Sequence, residues 1–449
     1  MKDVDKLLKE VLKDITPTKD EMTRDRKVVR EVMALLKPYK VTPILVGSLE
    51  KGTDLRGNKD IDIFIQFRQS VPREQMEKKA LGIGKSVFRK LKGKWEIDYA
   101  EHPYVKGSHR GYVVEIVPCY TGKTIMSSVD RTPLHTKYVR KRIRDKPNLS
   151  GEIRLLKRFM KAQEVYGAEA RVEGFSGYLT EVLVINYGSF MGVLKAAVEW
   201  RMPQAIDPED QWEDSHALKY LFTQASLIVV DPVDKNRNVA AAVRREKLAE
   251  FIIAAEEFLK TPSRYFFFPP EIKAKTAKEL EALMKSRETR LIALVLKHEK
   301  LNENMLYSQL KKTTKSIADE IEENEFEVFK STYWTNDADT SILLFEMQVW
   351  SLPDVKHHPG PPLDVDIANQ EKFAEKYRKD KPYIKDGRWV VDTKRRITQA
   401  RTVLQNLVES KNGFGKNLRE AEEIRILEDE KILSIKDEGW HKHLTKILD

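Results

Sequence analysis

Two aspartates, one residue apart, open a run of apolar side chains in the segment ILVGSLEKGTDLRGNKDIDIFIQF, residues 44–67. Alternate residues of a strand share a face, so Asp60 and Asp62 would point to one side while the isoleucines between and after them point into a core. Oxygen atoms of such a pair can converge on two divalent ions, which stabilises the attacking and leaving oxygens in phosphoryl or nucleotidyl transfer. Magnesium, a hard cation that prefers oxygen ligands, fits this pair.

A glycine and a serine end the strand-like run that precedes these aspartates. Gly47 lets a phosphate approach the backbone closely, and Ser48 can supply a hydroxyl where the turn leads into a helix N-terminus. Taken separately, Gly-Ser is a common turn and Asp-x-Asp a common surface pair. Together, on successive strands, they predict a phosphate-binding site beside a metal site.

A third carboxylate would complete such a site, and the sequence offers two. Glu115 stands among apolar residues in VVEIV, residues 113–117, and Asp98 stands in WEIDY, residues 95–99. Both segments have the composition of strands. From the residues alone, both acids are candidates.

The elements that must position these side chains follow from hydrophobic periodicity. The first 38 residues predict two amphipathic helices, and a further helix is predicted from Arg73 to Leu91. With the strands around it, that helix predicts an α/β module. The strands are predicted at Val41–Val46, Ile61–Phe67, Trp95–Tyr99 and Tyr112–Val117.

A proline-rich break divides the remainder of the chain. Residues 152–258 are mainly helical in pattern, and FFFPP at 266–270 indicates a boundary. Beyond it, strand patterns at 291–296 and 342–350 mix with helix patterns, whereas HHPGPP at 357–362 is expected to be irregular. The predicted fold class is therefore α+β multidomain, with an α/β module first, a helical central domain and an α+β C-terminal region.

The chain is basic. Its 449 residues include 80 Lys or Arg and 70 Asp or Glu, a formal net charge of +10 that favours a polyanionic partner such as nucleic acid. Residues 131–146 carry seven Lys or Arg and one acid, a density that suits a triphosphate or an RNA backbone. Four further cations lie at helical spacing and predict one basic helix face: Arg154, Lys157, Arg158 and Lys161.

The cysteine content and the apolar segments indicate a compartment. Cys119 is the single cysteine, which excludes an intramolecular disulfide and a Cys-rich zinc site and favours the cytoplasm. The opening residues, MKDVDKLLKEVLKDI, carry charges instead of an apolar signal core. The most apolar long stretch, Val182–Trp200, is interrupted by polar and charged residues and is too polar for an ordinary span, so no membrane is expected.

The spacing of the candidate residues resembles that of a known superfamily. An apolar residue, Gly-Ser, eleven residues and then Asp-x-Asp between apolar neighbours is similar to the signature of the polymerase-β-like nucleotidyltransferases. Within it, the chain resembles the archaeal-type, class I, CCA-adding enzymes, which are tRNA nucleotidyltransferases, strongly up to about residue 250 and collinearly afterwards. The segments that carry this resemblance are AEHPYVKG (100–107), VDRTPLHTKYV (129–139), IRLLKRFMKAQEVYGAE (153–169), GFSGYLTEVL (174–183) and DPVDKNRNVAA (231–241).

The resemblance implies roles for ten residues. Catalysis and metal ligation fall on Asp60, Asp62 and Glu115, so that Glu115 is preferred to Asp98, and Arg237 is expected to reach the edge of the base. Two positions depart from the family's usual residues, because Glu115 stands where Asp is usual and Lys51 where Arg is usual. The implied nucleotide contacts are Ser48, Lys51, Thr132, His135, Lys157 and Tyr166.

The resemblance also implies a reaction and its partners. The chain would add or repair the 3′-terminal CCA of tRNA with CTP and ATP, use two Mg²⁺ ions and release pyrophosphate. A catalytic head is expected at 1–150, a mainly helical nucleotide-recognition neck at 151–265, and an α+β body and tail that bind the tRNA acceptor arm at 266–449. The choice between a monomer and a homodimer stays open.

Two other interpretations compete with this one. Another polymerase-β-like transferase, such as a poly(A) polymerase or an oligoadenylate synthetase, would not stop after adding C-C-A. A non-catalytic RNA-binding protein that keeps the fold would release no pyrophosphate from CTP and Mg²⁺.

Overall fold

The computed structural model describes residues 2–122 and 124–449. The chain divides into two compact units, the first reaching Pro270 and the second running from Glu271 to Asp449. Both units contain helices and strands, so the predicted α+β multidomain class is confirmed. The finer division of the chain at residues 150 and 265 stays a proposal. None of the described helices is long and apolar enough to cross a membrane.

The first unit opens with two helices, as predicted, followed by a five-stranded sheet. The second helix starts at a capping box, in which the Thr18 hydroxyl accepts from the Glu21 amide and the Glu21 carboxylate accepts from the Thr18 amide. The helices of this part are α1 (Lys2–Ile15), α2 (Lys19–Leu36), α3 (Gly47–Lys51) and α4 (Arg73–Leu91). Its strands are β1 (Thr42–Val46), β2 (Asp60–Arg68), β3 (Trp95–Tyr99), β4 (Pro103–His109) and β5 (Tyr112–Thr121).

The strand order of this sheet is β1-β2-β5-β4-β3. The pair β2 and β5 is parallel, and the other neighbours are antiparallel. The helix predicted from Arg73 to Leu91 is confirmed as α4. Strand β4 escapes the sequence prediction because PYVKGSH has one short apolar pair and no sustained alternation.

The two faces of this sheet differ in chemistry. Ile61, Ile63 and Ile65 are fully buried in a core shared with α2 and α4. The strand alternation puts Asp60 and Asp62 on the opposite face, as predicted. A second, smaller apolar core includes Phe64, the next residue on the face of the two acids; its members are Val46, Phe64, Tyr104, Val117 and Cys119.

The rest of the first unit is mainly helical, as predicted, and also holds a three-stranded sheet of order β6-β7-β8. Its core is rich in phenylalanine, and Phe159 lies within 6.3 Å, ring centroid to ring centroid, of Phe190, Phe251 and Phe258. The helices are α5 (Arg131–Asp145), α6 (Leu149–Ala162), α7 (Gly177–Tyr187), α8 (Phe190–Ala197), α9 (Ser215–Leu221) and α10 (Arg245–Lys260). The strands are β6 (Gln204–Ile206), β7 (Leu227–Asp231) and β8 (Asp234–Asn238).

The second unit is an α+β structure with two sheets. Helices α12 and α14 pack on one face of the sheet β10-β11-β9-β15, and α11 and α15 pack on the other. The helices are α11 (Ala277–Ser286), α12 (Glu303–Glu323), α13 (Ile367–Lys376), α14 (Ala400–Ser410) and α15 (Glu438–Leu448). The strands are β9 (Arg290–Lys297), β10 (Glu327–Thr335), β11 (Thr340–Val349), β12 (Val355–Pro362), β13 (Tyr383–Lys385), β14 (Arg388–Lys394) and β15 (Glu423–Glu428).

The prediction of an irregular segment at HHPGPP is wrong. His357, His358 and Pro359 pair with β14 as part of β12, and a register shift follows before Pro362. Strand β12 lies at the edge of the sheet β12-β14-β13. A proline lacks the backbone N–H of a ladder but is tolerated on an edge strand or at a bulge, which is how this segment accommodates its three prolines.

Trypsin should cut the intact chain first after Lys273. Residues 271–276 contain neither helix nor strand, and Lys273 is exposed; such segments are the usual sites of proteolysis. Lys275 is the matched control, because its amide donates to the Thr445 hydroxyl and its Nζ lies 3.1 Å from Asp449. Mass spectrometry of the early fragments should show that Lys273→Gln delays the first cut more than Lys275→Gln does. A first cut inside α12 would contradict this division of the chain.

Candidate active site

Parallel pairing of β2 with β5 brings the predicted carboxylates together. Asp62 stands directly opposite Glu115, and Asp60 stands opposite Val113. All three acids line one cavity of about 330 Å³. Six of the ten predicted site residues line this cavity: Ser48, Asp60, Asp62, Glu115, Lys157 and Tyr166.

The fold requires a glycine at position 47 for a reason that the sequence alone does not show. Its φ is +75°, and a Cβ at this position would lie 1.9 Å from Oδ2 of Asp62. Val46 pairs with Asp62 across β1 and β2, so the chain turns into α3 directly over that carboxylate. Glycine is therefore needed here to make room for Asp62, independently of any phosphate.

The three acids repel one another, and two of them, Asp62 and Glu115, are half-buried, whereas Asp60 is exposed. Burial, Glu115 and Asp60 raise the pKa of Asp62 to about 7. Burial also raises the pKa of Glu115, and Lys106, whose Nζ lies 3.5 Å from Oε1 of Glu115, opposes that rise. A divalent cation would relieve this repulsion, and the oxygen donors suit Mg²⁺. In residues 2–122 and 124–449 no three His, Cys, Asp or Glu side chains already enclose an ion position.

Asp98, the rival third carboxylate, lies near Glu115 but on a different strand. It is on the edge strand β3, which β5 and β4 separate from β2. The Tyr104 hydroxyl lies between the two acids, 3.1 Å from Oδ2 of Asp98 and 3.4 Å from Oε1 of Glu115. Glu115 lines the cavity with Asp60 and Asp62. This placement favours Glu115, whose role stays a prediction.

The two predicted phosphate-binding lysines meet at a residue that sequence reasoning missed. Nζ of Lys51 donates to Oε2 of Glu181 at 2.6 Å, and Nζ of Lys157 donates to Oε1 at 2.9 Å. Glu181 is fully buried. A single acid within the apolar helix sequence GYLTEVLVINY is the signal that points to it.

Two of the predicted ribose and base contacts, His135 and Arg237, meet at a second buried acid, Asp231, which sequence reasoning also missed. Oδ2 of Asp231 accepts from Nε2 of His135 and from Nη1 of Arg237, each at 2.8 Å. Oδ1 accepts from the Tyr178 hydroxyl at 3.1 Å, and the Tyr178 ring stacks on His135 with centroids 3.7 Å apart. Burial lowers the pKa of His135, although Asp231 opposes this. A neutral His135 that donates through Nε2 keeps Nδ1 as an acceptor.

Helix α7 connects the residues around Glu181 with the residues around Asp231. Tyr178 and Glu181 lie one turn apart on it, and Nζ of Lys51 lies 5.9 Å from the centre of the Tyr178 ring. Thr132 is half-buried, three residues before His135 on α5. All ten predicted site residues therefore lie in the first unit, six around the acidic cavity and the others at or near the two buried acids.

The predicted basic face of α6 is buried in part: Arg154 and Lys157 are buried, Arg158 is half-buried and Lys161 is exposed. Arg154 donates from Nε to the carbonyl oxygen of Asp54 at 2.7 Å. The guanidinium carbon of Arg158 lies 4.6 Å from the centre of the Phe268 ring, and Nζ of Lys161 lies 5.3 Å from that of Tyr166. Arg154 and Lys157 therefore lie inside the first unit, whereas Lys161 at the end of the helix remains exposed to solvent.

Comparison with known proteins assigns the family. A CCA-adding enzyme of Methanocaldococcus jannaschii is 35% identical to this chain, and the alignment covers 99% of this chain and 98% of that protein. This chain belongs to the family of CCA-adding enzymes. A second relative, the CCA-adding enzyme of Methanothermobacter thermautotrophicus, is 36% identical over 89% of this chain and 87% of its own length.

Family models match three successive parts of the enzyme. Residues 26–141 match a nucleotidyltransferase domain, residues 151–268 match the second domain of tRNA nucleotidyltransferases, and residues 287–429 match the C-terminal domain of CCA-adding enzymes. A solved structure of a cytoplasmic RNA terminal U-transferase is similar in fold, with a TM-score of 0.50, 14% identity, and coverage of 60% of this chain and 100% of that chain.

These matches confirm the resemblance noticed in the motifs. The enzyme is a nucleotidyltransferase, and the relatives that match it over nearly its whole length are CCA-adding enzymes. The interpretation as a poly(A) polymerase or an oligoadenylate synthetase is correspondingly disfavoured. The roles of the individual residues stay predictions.

Replacing Gly47 by alanine should inactivate the enzyme without unfolding it. The added Cβ would collide with Asp62, and misplacing a catalytic group by about 1 Å can cost about 100-fold in rate. We expect nucleotide incorporation into RNA to fall by about 100-fold, measured with labelled nucleotide, while circular dichroism stays unchanged.

Gly188→Ala is the matched control for this variant. Gly188 has a similar φ of +80°, but nothing lies within 4 Å of an added Cβ. It therefore adds the same backbone strain without a collision. Equal activity of the Gly47 and Gly188 variants would show that contact with Asp62 is not the reason for the glycine.

Proposed function

We propose that this enzyme adds or repairs the 3′-terminal CCA of tRNA with CTP and ATP and without a nucleic acid template. The observation that carries the proposal is the cavity lined by Asp60, Asp62 and Glu115 together with the ammonium group of Lys157. Carboxylates that can hold cations, beside a cation that can hold phosphate, are what nucleotidyl transfer requires. Membership of the CCA-adding family supports the choice of substrates.

In the proposed reaction, the tRNA 3′-hydroxyl gives up its proton to solvent and its oxygen bonds to the α-phosphorus of CTP or ATP. The bond from that phosphorus to the oxygen leading to the β-phosphate breaks, and pyrophosphate leaves. Asp60, Asp62 and Glu115 would hold Mg²⁺, with two ions expected. When bound, these ions lower the pKa of the 3′-hydroxyl and neutralise charge on the triphosphate.

Basic and hydroxyl side chains would orient the nucleotide. Ser48, Lys51, Lys157 and Tyr166 would hold the triphosphate, and Thr132 and His135 would lie near the ribose. Because His135 donates through Nε2 to Asp231, its Nδ1 can accept a hydrogen bond from a ribose hydroxyl.

Base choice without a template needs hydrogen-bonding groups in the pocket. Arg237 would reach the edge of C or A, and its side chain is 37% exposed although Nη1 is held by Asp231. The guanidinium has five donors, so the contact with Asp231 orients it and leaves donors for a base. The growing 3′ end of the RNA would complete the pocket.

The second unit would grip the acceptor arm of tRNA by shape and backbone charge, as duplex RNA requires. We retain the three-domain division of head, neck, and body with tail for residues 1–150, 151–265 and 266–449. A cytoplasmic location fits the single cysteine, since a reducing compartment keeps it free. A homodimer is an arrangement to be tested by light scattering.

The function is tested with the purified chain, tRNA lacking CCA, labelled CTP or ATP, and Mg²⁺. Sequencing of the product should show addition that stops after C-C-A, and Asp62→Asn should reduce it by about 1000-fold or more while tRNA binding persists. Asp20→Asn, an exposed aspartate of α2, is the matched control and should be fully active. Continued addition of A would instead support a poly(A) polymerase, and no pyrophosphate release would support a non-catalytic RNA-binding protein.

The third carboxylate can be tested separately. Glu115→Gln keeps the size of the side chain but removes its charge, so we expect a loss of about 1000-fold, whereas Glu115→Asp should retain measurable incorporation. Asp98→Asn should change activity far less, because Asp98 stands two strands further from β2. Kinetics in which Asp98→Asn is inactive and Glu115→Gln is active would reverse the assignment.

A further inference from the structure

One fully buried carboxylate of the first unit takes no part in the steps above. The side chain of Glu181 is 0% exposed and lies on α7, between apolar residues that are themselves buried. Removing a carboxylate from water costs several kcal/mol unless close partners compensate for it. The partners of Glu181 therefore indicate why the chain keeps it.

Glu181 has three donors on its two oxygens. Oε2 accepts from Lys51, and Oε1 accepts both from Lys157 and, at 2.6 Å, from the hydroxyl of Thr53. Burial by itself would raise the pKa of Glu181, but Lys157 and Lys51 outweigh it and lower the pKa to about 2. The carboxylate is thus ionised at neutral pH.

The same contacts fix the two lysines. Nζ of Lys157 also donates to Oγ1 of Thr53 at 3.0 Å and to its carbonyl oxygen at 3.3 Å, which together with Glu181 gives three acceptors for three hydrogens. The side chains of Lys157 and Lys51 are only 4% and 9% exposed. Neither ammonium group can swing freely into solvent, so both have defined positions before a nucleotide arrives.

The cluster retains positive charge. Two ammonium groups and one carboxylate sum to 2 − 1 = +1. Arg154, the next cation on the same face of α6, lies 3.7 Å from the carboxylate of Asp54 and is compensated there. Because Lys157 lines the acidic cavity, this residual charge is available to an anion that enters it.

We propose that Glu181 is a positioning residue for the nucleotide triphosphate, holding Lys51 and Lys157 at a fixed spacing so that the phosphates meet two preset cations. The inference rests on the triphosphate role proposed above for these lysines. One carboxylate can orient two ammonium groups without neutralising both, which lets the cluster be stable when empty and still attract the polyanion.

A purely structural ion cluster would behave differently. Its loss would lower stability and the fraction of active enzyme, and so would affect every ligand alike. Loss of positioning would instead weaken ligands that carry phosphates and spare those that do not. The two roles are therefore separated by comparing CTP and pyrophosphate with cytidine.

The decisive variant is Glu181→Gln in the full chain. We expect the KM for CTP to rise about tenfold and inhibition by pyrophosphate to weaken by a similar factor, while inhibition by cytidine, the KM for tRNA and kcat change by less than about threefold. A folded variant with lower kcat and unchanged KM for CTP, or with all constants unchanged, would overturn the proposal.

Glu346→Gln is the matched control. Glu346 is also buried, with Arg287 and the Thr289 hydroxyl as its donors, but it lies in the second unit. The substitution removes the same charge from a similar environment and should leave the KM for CTP unchanged. If Glu181→Gln does not fold, Thr53→Val decides, since it removes the hydroxyl shared by Glu181 and Lys157 and should raise the KM for CTP about threefold; no rise would overturn the proposal.

Lys157→Met separates this inference from the proposed function. If Lys157→Met weakens CTP and pyrophosphate and Glu181→Gln does not, the triphosphate role of the lysine stands and the positioning role of Glu181 is wrong. If Lys157→Met leaves both ligands unaffected, the proposed role of the lysine is wrong, and the positioning role of Glu181 is wrong with it.

Discussion

Burial of Asp62 directly opposite Glu115 is the constraint on which the five-stranded sheet of the first unit depends. Parallel pairing of β2 with β5 sets the two acids opposite each other. Burial, and after it the charges of Glu115 and Asp60, raises the pKa of Asp62 from 3.8 to about 7, which destabilises the folded chain at neutral pH by roughly 4 kcal/mol. On the other face of β2 three isoleucines are fully buried, and each contributes roughly 2 kcal/mol. Burial of the apolar face of β2 therefore offsets the cost of burying Asp62 opposite Glu115.

The cations near this site are held by hydrogen bonds to buried carboxylates. Glu181 accepts hydrogen bonds from Lys51 and Lys157, and Asp231 accepts them from His135 and Arg237. Each buried acid therefore orients two predicted nucleotide contacts. Groups that are already oriented lose little freedom when a substrate binds. Helix α7 carries both Glu181 and Tyr178, and the Tyr178 hydroxyl donates to Asp231. This one helix therefore positions both buried acids.

Sequence patterns predicted the features that depend on residues close together in the chain. The alternation in β2 put Asp60 and Asp62 on one face, and periodicity gave α4 from Arg73 to Leu91. Strand β4 and the proline-rich β12 were not predicted, because they form by pairing with neighbouring strands and have no strand pattern of their own. Glu181 and Asp231 escaped for a related reason. The contact of Glu181 with Lys51 spans 130 residues and that of Asp231 with His135 spans 96, so neither is visible in a short window.

The two departures from the usual family residues acquire physical contexts from the fold. Glu115 faces Lys106 across β5 and β4, and the longer side chain reaches both this ammonium group and the cavity lined by Asp60 and Asp62. Lys51 presents a compact ammonium group to a single oxygen of Glu181 at 2.6 Å. An arginine at position 51 would present a planar guanidinium that favours hydrogen bonds to both oxygens of a carboxylate. One of the two oxygens of Glu181, however, already accepts a hydrogen bond from Lys157. Lysine at position 51 therefore suits a carboxylate that is shared between two cations.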